Sequence, residues 1–186
     1  MIIIGVDPGT LITGYGVIET RNGKLKILHS GAVKNNSGVP MPIRLKNIFN
    51  TLSGVIERFK PDQFSIETAF YGKNAQSALK LGHARGVAML SAITRDIPTY
   101  EYSPREVKKS IVGNGSASKE QVQYMVKTLL KLKNTPKYYD ITDALAVALC
   151  HIQQNPTPQK KHHKTWKAFI TEHPERVYMP KKGFRQ

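Results

Sequence analysis

A chain of 186 residues suits one domain of ordinary size, large enough to bury a core without disulfide or metal staples. Its single cysteine, Cys150, excludes an internal disulfide and points to a reducing, cytoplasmic setting, and no stretch approaches the roughly 18 apolar residues of a membrane span. The 28 Lys/Arg against 13 Asp/Glu give +15, which points to a polyanionic partner, nucleic acid before a membrane surface.

Met1-Ile-Ile-Ile-Gly-Val-Asp7 is an apolar run closed by a carboxylate and reads as a central strand covered on both faces. Residues 14–19 and 24–29 flank Asn22-Gly23, a hairpin signal, so the first three strands form a meander. After Pro40-Met-Pro42, apolar residues at 45, 48, 49, 52, 55, 56 and 59 fall at helical steps, and Pro61 ends the helix. Phe64-Ser-Ile66 is a short strand leading into Glu67. Residues 75–95 form a long helix whose small residues invite close approach of another helix, including one from a second subunit. Thr99-Tyr-Glu-Tyr102 is a strand. Ser103-Pro104 with Glu106 opens a helix, and Ser118-Lys-Glu-Gln121 resembles a capping box opening the next, which Asn134-Thr-Pro136 breaks. Residues 140–153 form the last helix. The chain therefore divides into a body of 1–155 and a basic tail of 156–186, expected to be mostly disordered apart from a short segment around Trp166, Phe169 and Ile170. The body is basic without the tail: it holds twenty Lys/Arg against eleven acids (+9), and the tail eight against two (+6). The expected fold class is α/β, a mixed sheet of a three-strand meander followed by two parallel strands, flanked by helices, an order that resembles the ribonuclease-H-like fold.

Asp7 and Glu67 both end strands, and sites in open α/β sheets form beyond the carboxyl ends of strands. Asp140 and Asp143 are three apart on a helix and share a face. Converging carboxylates repel unless a cation sits among them. Four of them, without a cysteine or paired-histidine cluster, suit a hard ion, Mg²⁺ or Mn²⁺ in its place. Two such ions, about 3.5–4 Å apart, would activate a water and steady the departing oxygen in phosphodiester hydrolysis. Each acid also has a bland reading: Asp-Pro-Gly as a turn, Glu67 as a solvated strand end, Asp140 as a helix cap, Asp143 as a helix-dipole partner. This chemistry alone leaves DNA against RNA open.

Gly5-Val-Asp-Pro-Gly9 with Thr13-Gly-Tyr-Gly16, Ile66-Glu67, Lys73-Asn74, Ser77-Ala-Leu-Lys-Leu-Gly82, Ala84-Arg-Gly86, Val112-Gly-Asn-Gly115 and Asp140-Ile-Thr-Asp-Ala-Leu-Ala146 resemble, in that order, the RuvC family of Holliday-junction resolvases. The resemblance spans residues 1 to about 153. It implies a homodimeric, Mg²⁺-dependent endonuclease that nicks opposed strands of a four-way DNA junction and works with a branch-migration motor of the RuvA-RuvB type. It implies that Asp7, Glu67, Asp140 and Asp143 are the metal ligands and catalytic acids, with Asp140 the most variable since some members carry histidine there. It assigns Phe70 to stacking on junction bases, with Lys73 beside it on a short basic segment, and it places Lys108 and Lys119 near the scissile phosphate. Three other readings stay open: an actin-like ATPase or sugar kinase sharing the Asp-Pro-Gly-Thr loop, a noncatalytic junction-binding module, and a ribonuclease of the same fold.

Overall fold

The computed structural model describes residues 1–68, 75–134, 136 and 138–154. Contacts divide the chain into Met1–Asn155 and Pro156–Gln186; the second unit, with the expected tail, lies outside the described residues, as do Phe70 and Lys73. Strands β1 (Ile2–Asp7), β2 (Ile12–Arg21) and β3 (Lys24–Lys34) form the meander. They are followed by α1 (Met41–Phe59), β4 (Gln63–Glu67), α2 (Ala75–Ile93), β5 (Thr99–Tyr102), α3 (Pro104–Val112), α4 (Lys119–Leu129) and α5 (Tyr139–Gln154). The sheet order is β3-β2-β1-β4-β5. β1 pairs antiparallel with β2 and parallel with β4, and β4 is parallel to β5, which is the ribonuclease-H-like arrangement expected. Among the described residues no helix is long and apolar enough to cross a membrane.

Local signals explain the elements. Asn22 and Gly23 both take positive φ, +51° and +73°, as the tight hairpin needs. Ser103–Glu106 and Ser118–Gln121 are full capping boxes. Two boundaries differ from expectation by more than two residues. β3 runs on to Lys34, five residues beyond its apolar stretch, because β2 offers a partner along its whole length past a bulge at Val17/Ile18. α4 stops at Leu129 rather than near Asn134, because Lys131 turns left-handed (φ +51°).

Strand alternation sorts β1 into two faces. Ile4 and Val6 join Tyr15, Val17, Phe64 and Ile66 in the core under α1 and α2. Ile3 joins Ile18, Leu145, Leu149 and the apolar residues of α3 and α4 on the opposite face. Gly5 and Asp7 share that second face by register, and so does Glu67, since its neighbour Ile66 points the other way.

α5 lies against this face unusually closely. Gly5 pairs with Gly16 and Asp7 with Gly14 across the sheet. A Cβ on Gly14 would stand 1.8 Å from the Asp140 carbonyl oxygen, and one on Gly5 would stand 2.2 Å from that of Ala144. On Gly16 it would meet the Leu145 side chain at 2.5 Å. The far end of α5 is held by hydrogen bonds. Buried His151 accepts from the Tyr102 hydroxyl at Nδ1 (2.7 Å) and donates from Nε2 to Gln63 Oε1 (2.7 Å). Burial pushes its pKa down to about 4, so the ring stays neutral and can play both roles.

Gly14→Ala has nowhere to put its methyl, because the obstacle is backbone. It is expected to destabilise the fold by about 1–3 kcal/mol, read as a lower urea midpoint with an unchanged m-value.

Candidate active site

The sheet and α5 bring the acids together. Asp7 ends β1 and Glu67 ends the adjacent parallel strand, both on the α5 face. The contact of Gly14 with the Asp140 backbone sets the first turn of α5 beside Asp7, its cross-strand partner. Asp7, Glu67 and Asp143 line one cleft of about 220 Å³, together with Pro104, Val107 and Lys108 of α3 and Lys119 and Val122 of α4. Asp140 is not on the cleft wall, yet its charge reaches Asp7. The turn after Asp7 is braced by buried Thr13, whose hydroxyl donates to the Gly9 carbonyl (2.6 Å).

The electrostatics are those of anions held together. Burial, followed by Glu67, Asp143 and Asp140, raises the Asp7 carboxyl well above its ordinary value, and Lys119 opposes only weakly. Burial, then Asp143, lifts Glu67 from 4.5 to about 7, against the pull of Lys119 and Lys108. Lys119 Nζ lies 3.5 Å from Asp143. That pairing raises the lysine, while Asp143 itself is also raised. The two shifts do not mirror each other because Asp143 is largely buried and Lys119 largely exposed: desolvation outweighs the attraction for the acid.

The donor set is made of carboxylate oxygens, which suits a hard divalent cation. Among the described residues, however, no three acidic, histidine or cysteine side chains are gathered tightly enough to grip one ion as they stand. Lys119, 3.5 Å from Asp143, supplies part of the positive charge such an ion would bring. The chemistry of the donors therefore fits a divalent ion, with closure of the acids around it left to binding.

Six of the eight residues singled out from the sequence are described, and all six act on or line this cleft: Asp7, Glu67, Asp143, Lys108 and Lys119 as its lining, Asp140 from its edge. Sequence reasoning missed the bracing by Thr13, the apolar wall of Val107 and Val122, and the glycine contacts with α5. The glycines lay inside the recognised motif, but only a packing partner reveals what their missing side chains admit.

A raised carboxyl pKa has a stability consequence. Below 4.5, Glu67 is protonated folded and unfolded. Between 4.5 and about 7 the folded state keeps a proton the unfolded state has lost, so stability falls as pH rises through this window. Neutral His151 works oppositely below 6.5. The acid's share is thus the difference between wild type and Glu67→Gln. In EDTA, the melting temperature of wild type relative to Glu67→Gln is expected to drop from pH 4.5 to 7.5, and a divalent cation to restore it. A difference that does not change with pH would contradict the raised Glu67.

Comparison with known proteins agrees with this architecture. The family model "Crossover junction endodeoxyribonuclease RuvC" matches residues 3–151. Proteins of that name from Cronobacter sakazakii and Desulforamulus reducens are 51% and 46% identical to the chain. The first match covers 84% of this chain and 90% of the relative, the second 84% and 96%. The structure of Thermus thermophilus RuvC in complex with a Holliday junction substrate superposes with a TM-score of 0.78 at 34% identity, covering 83% of this chain and 94% of that one. With its family model, its relatives and its fold in agreement, the chain belongs to the RuvC family of crossover junction endodeoxyribonucleases.

Proposed function

We infer that this protein resolves four-way DNA junctions by nicking opposed strands, using the acidic cleft at the end of β1. The observation that carries this reading is the convergence of Asp7, Glu67 and Asp143, with Asp140 at their edge, beside Lys108 and Lys119 in a strongly basic body. A cleft built only to bind DNA would have no use for anions that repel the phosphate and cost stability.

In this reading Asp7, Glu67, Asp140 and Asp143 hold Mg²⁺, with Mn²⁺ able to replace it. Bound divalent ions supply a water of lowered pKa and charge to offset the departing 3′ oxygen. The four carboxylates would hold that centre and aim it at the phosphate. Lys119 exchanges its contact with Asp143 for the phosphate and offsets charge developing there, from the first turn of α4 where the helix dipole also favours an anion. Lys108 neutralises phosphate charge from the other wall of the cleft. Phe70 and Lys73 are proposed to meet the junction centre.

Two symmetric nicks require two sites, and the working form is proposed to be a homodimer. Support comes from α2: Leu79, Leu90 and Ile93 are 62%, 50% and 52% exposed. Gly82 and Gly86 between them face open space. These five recur at steps of three and four, one apolar, close-packing stripe. The enzyme is also proposed to work in the cytoplasm beside a branch-migration motor of the RuvA-RuvB type. The division into a nuclease domain of 1–155 and a tail of 156–186 is likewise proposed, with the tail's +6 adding nonspecific DNA affinity.

The test offers the protein a synthetic four-way junction, a linear duplex and an RNA duplex, each with Mg²⁺ or Ca²⁺. Paired nicks are expected on the junction with Mg²⁺ alone. Asp7→Asn should bind the junction yet cut at least about a hundredfold more slowly, the upper end of what even an outer-shell partner of a metal ligand costs. Lys119→Ala should slow cutting about a hundredfold and weaken binding far less. Binding without nicks would select the noncatalytic module, RNA cleavage the ribonuclease, and saturable ATP binding the actin-like reading.

A further inference from the structure

The cleft accounts for the basic residues of α3 and α4, but a lysine on the other side of the acids is also held in place. Lys34 ends β3 opposite Ile12 of β2, and Asp7 lies opposite Gly14, two residues further along the same strand. Paired residues point to the same side of a sheet, and Ile12 and Gly14 share a face by alternation. Lys34 therefore rises from the face that carries Asp7 and Glu67, while its neighbour Val33 packs into the core below. Its ammonium sits 4.1 Å from the centre of the Tyr138 ring. Tyr138 precedes Tyr139, the first residue of α5 and 44% exposed, and Asp140 follows directly. Leu11, also 44% exposed, lies beside Lys34 in the chain's course, since its carbonyl accepts the Asn35 amide (2.8 Å).

We propose that Lys34, seated on Tyr138, is a second DNA-backbone contact, gripping a phosphate of the cut strand's own arm some nucleotides away from the bond being hydrolysed. Two strand spacings and two residue rises put the Lys34 Cα about 12 Å from that of Asp7. That exceeds the spacing of adjacent phosphates along a nucleic-acid strand, so the lysine serves a different phosphate from Lys119. It is also on the opposite flank: Lys108 and Lys119 act on Glu67 and Asp143, whereas β3 lies two strands away from β1 on the far side from β4. A lysine at a strand end ordinarily sweeps through solvent and must lose that freedom to bind. Attraction to the ring holds the ammonium over the rim beforehand, which lowers the entropic cost of meeting a phosphate. With positive charge on both flanks, the backbone is drawn across the acids rather than away from them. The contact rests on the junction-binding reading above and adds to it where the arm runs.

The experiment measures junction binding in Ca²⁺, without cleavage, by anisotropy of a labelled four-way junction across a salt series. Lys34→Ala is expected to weaken binding several-fold and to flatten the slope of log K against log[salt] by about 0.9, one phosphate contact. Lys34→Arg should keep the slope. Lys24→Ala removes the same charge at the hairpin end of β3, ten residues and about 33 Å from Lys34, and should match wild type. Lys34→Ala indistinguishable from wild type, Lys24→Ala losing as much, or Lys34→Arg losing as much as alanine would each overturn the contact while leaving the resolvase reading intact. Wild-type protein that fails to bind the junction would overturn both.

Discussion

Helix α5 can reach the end of β1 only because the sheet beneath it has no side chains at three points. Gly5, Gly14 and Gly16 form a bare strip, and the backbone of α5 occupies the room their side chains would need. An ordinary helix-on-sheet contact keeps the two backbones a whole side-chain layer apart. Removing that layer at Gly14 presses the Asp140 carbonyl onto β2 next to Asp7. The charged end of the helix is thereby held against the charged end of the strand. Small residues in α5 complete the match, since Ala144 and Ala148 lie over Gly5. At the other end the hydrogen bonds of His151 to Tyr102 and Gln63 fix the helix across β4 and β5. Asp143 lies eight residues, about 12 Å, from that anchor, so its position is set by contacts at both ends of one rigid element.

That rigidity is used to hold an unfavourable arrangement. Carboxylates left to themselves would separate into water. Here burial and mutual repulsion raise Asp7, Glu67 and Asp143 together, and the surrounding fold bears the difference. The core on both faces of the sheet supplies what is spent: burying a side chain such as Ile4, Val6, Leu145 or Leu149 contributes about 1.5–3 kcal/mol. Lys119 is a partial counter-ion rather than a full one, because it is mostly exposed and cannot offset the burial of Asp143. A site left short of positive charge retains its affinity for a cation, and a lysine held loosely can leave for a phosphate.

Much of this was legible in the sequence because each feature has a local cause. The apolar run into Asp7, the Asn22-Gly23 turn and the two serine capping boxes act over a few residues, and they fixed element types and order. The acids were legible because strand ends and a helix start constrain where side chains can converge. What was not legible depended on partners distant in the chain. Nothing near Gly14 announces that Asp140 will lie on it, 126 residues later, and nothing near Gln63 announces His151. The extension of β3 to Lys34 is hidden in the sequence for a related reason: residues 30–34 lack the apolar pattern of a strand, and their pairing with β2 makes them one.

That extension adds a positive charge to the face that carries the acids. A β3 ending at its apolar residues would leave the β2 edge bare beside the acids and carry no lysine there. Continued to Lys34, it places a cation on the same face as Asp7 and within reach of the Tyr138 ring that precedes α5. The glycine strip that admits α5 also brings Tyr138 to the sheet, since Tyr138 is two residues from the Asp140 carbonyl that touches Gly14. One close contact thus sets both the acids at the end of β1 and the tyrosine that seats Lys34, so charges of opposite sign share one face of the sheet, with Lys34 on the side away from β4. Cations flanking a group of acids offset the repulsion those acids exert on a phosphodiester, and here Lys108 and Lys119 stand on one side and Lys34 on the other.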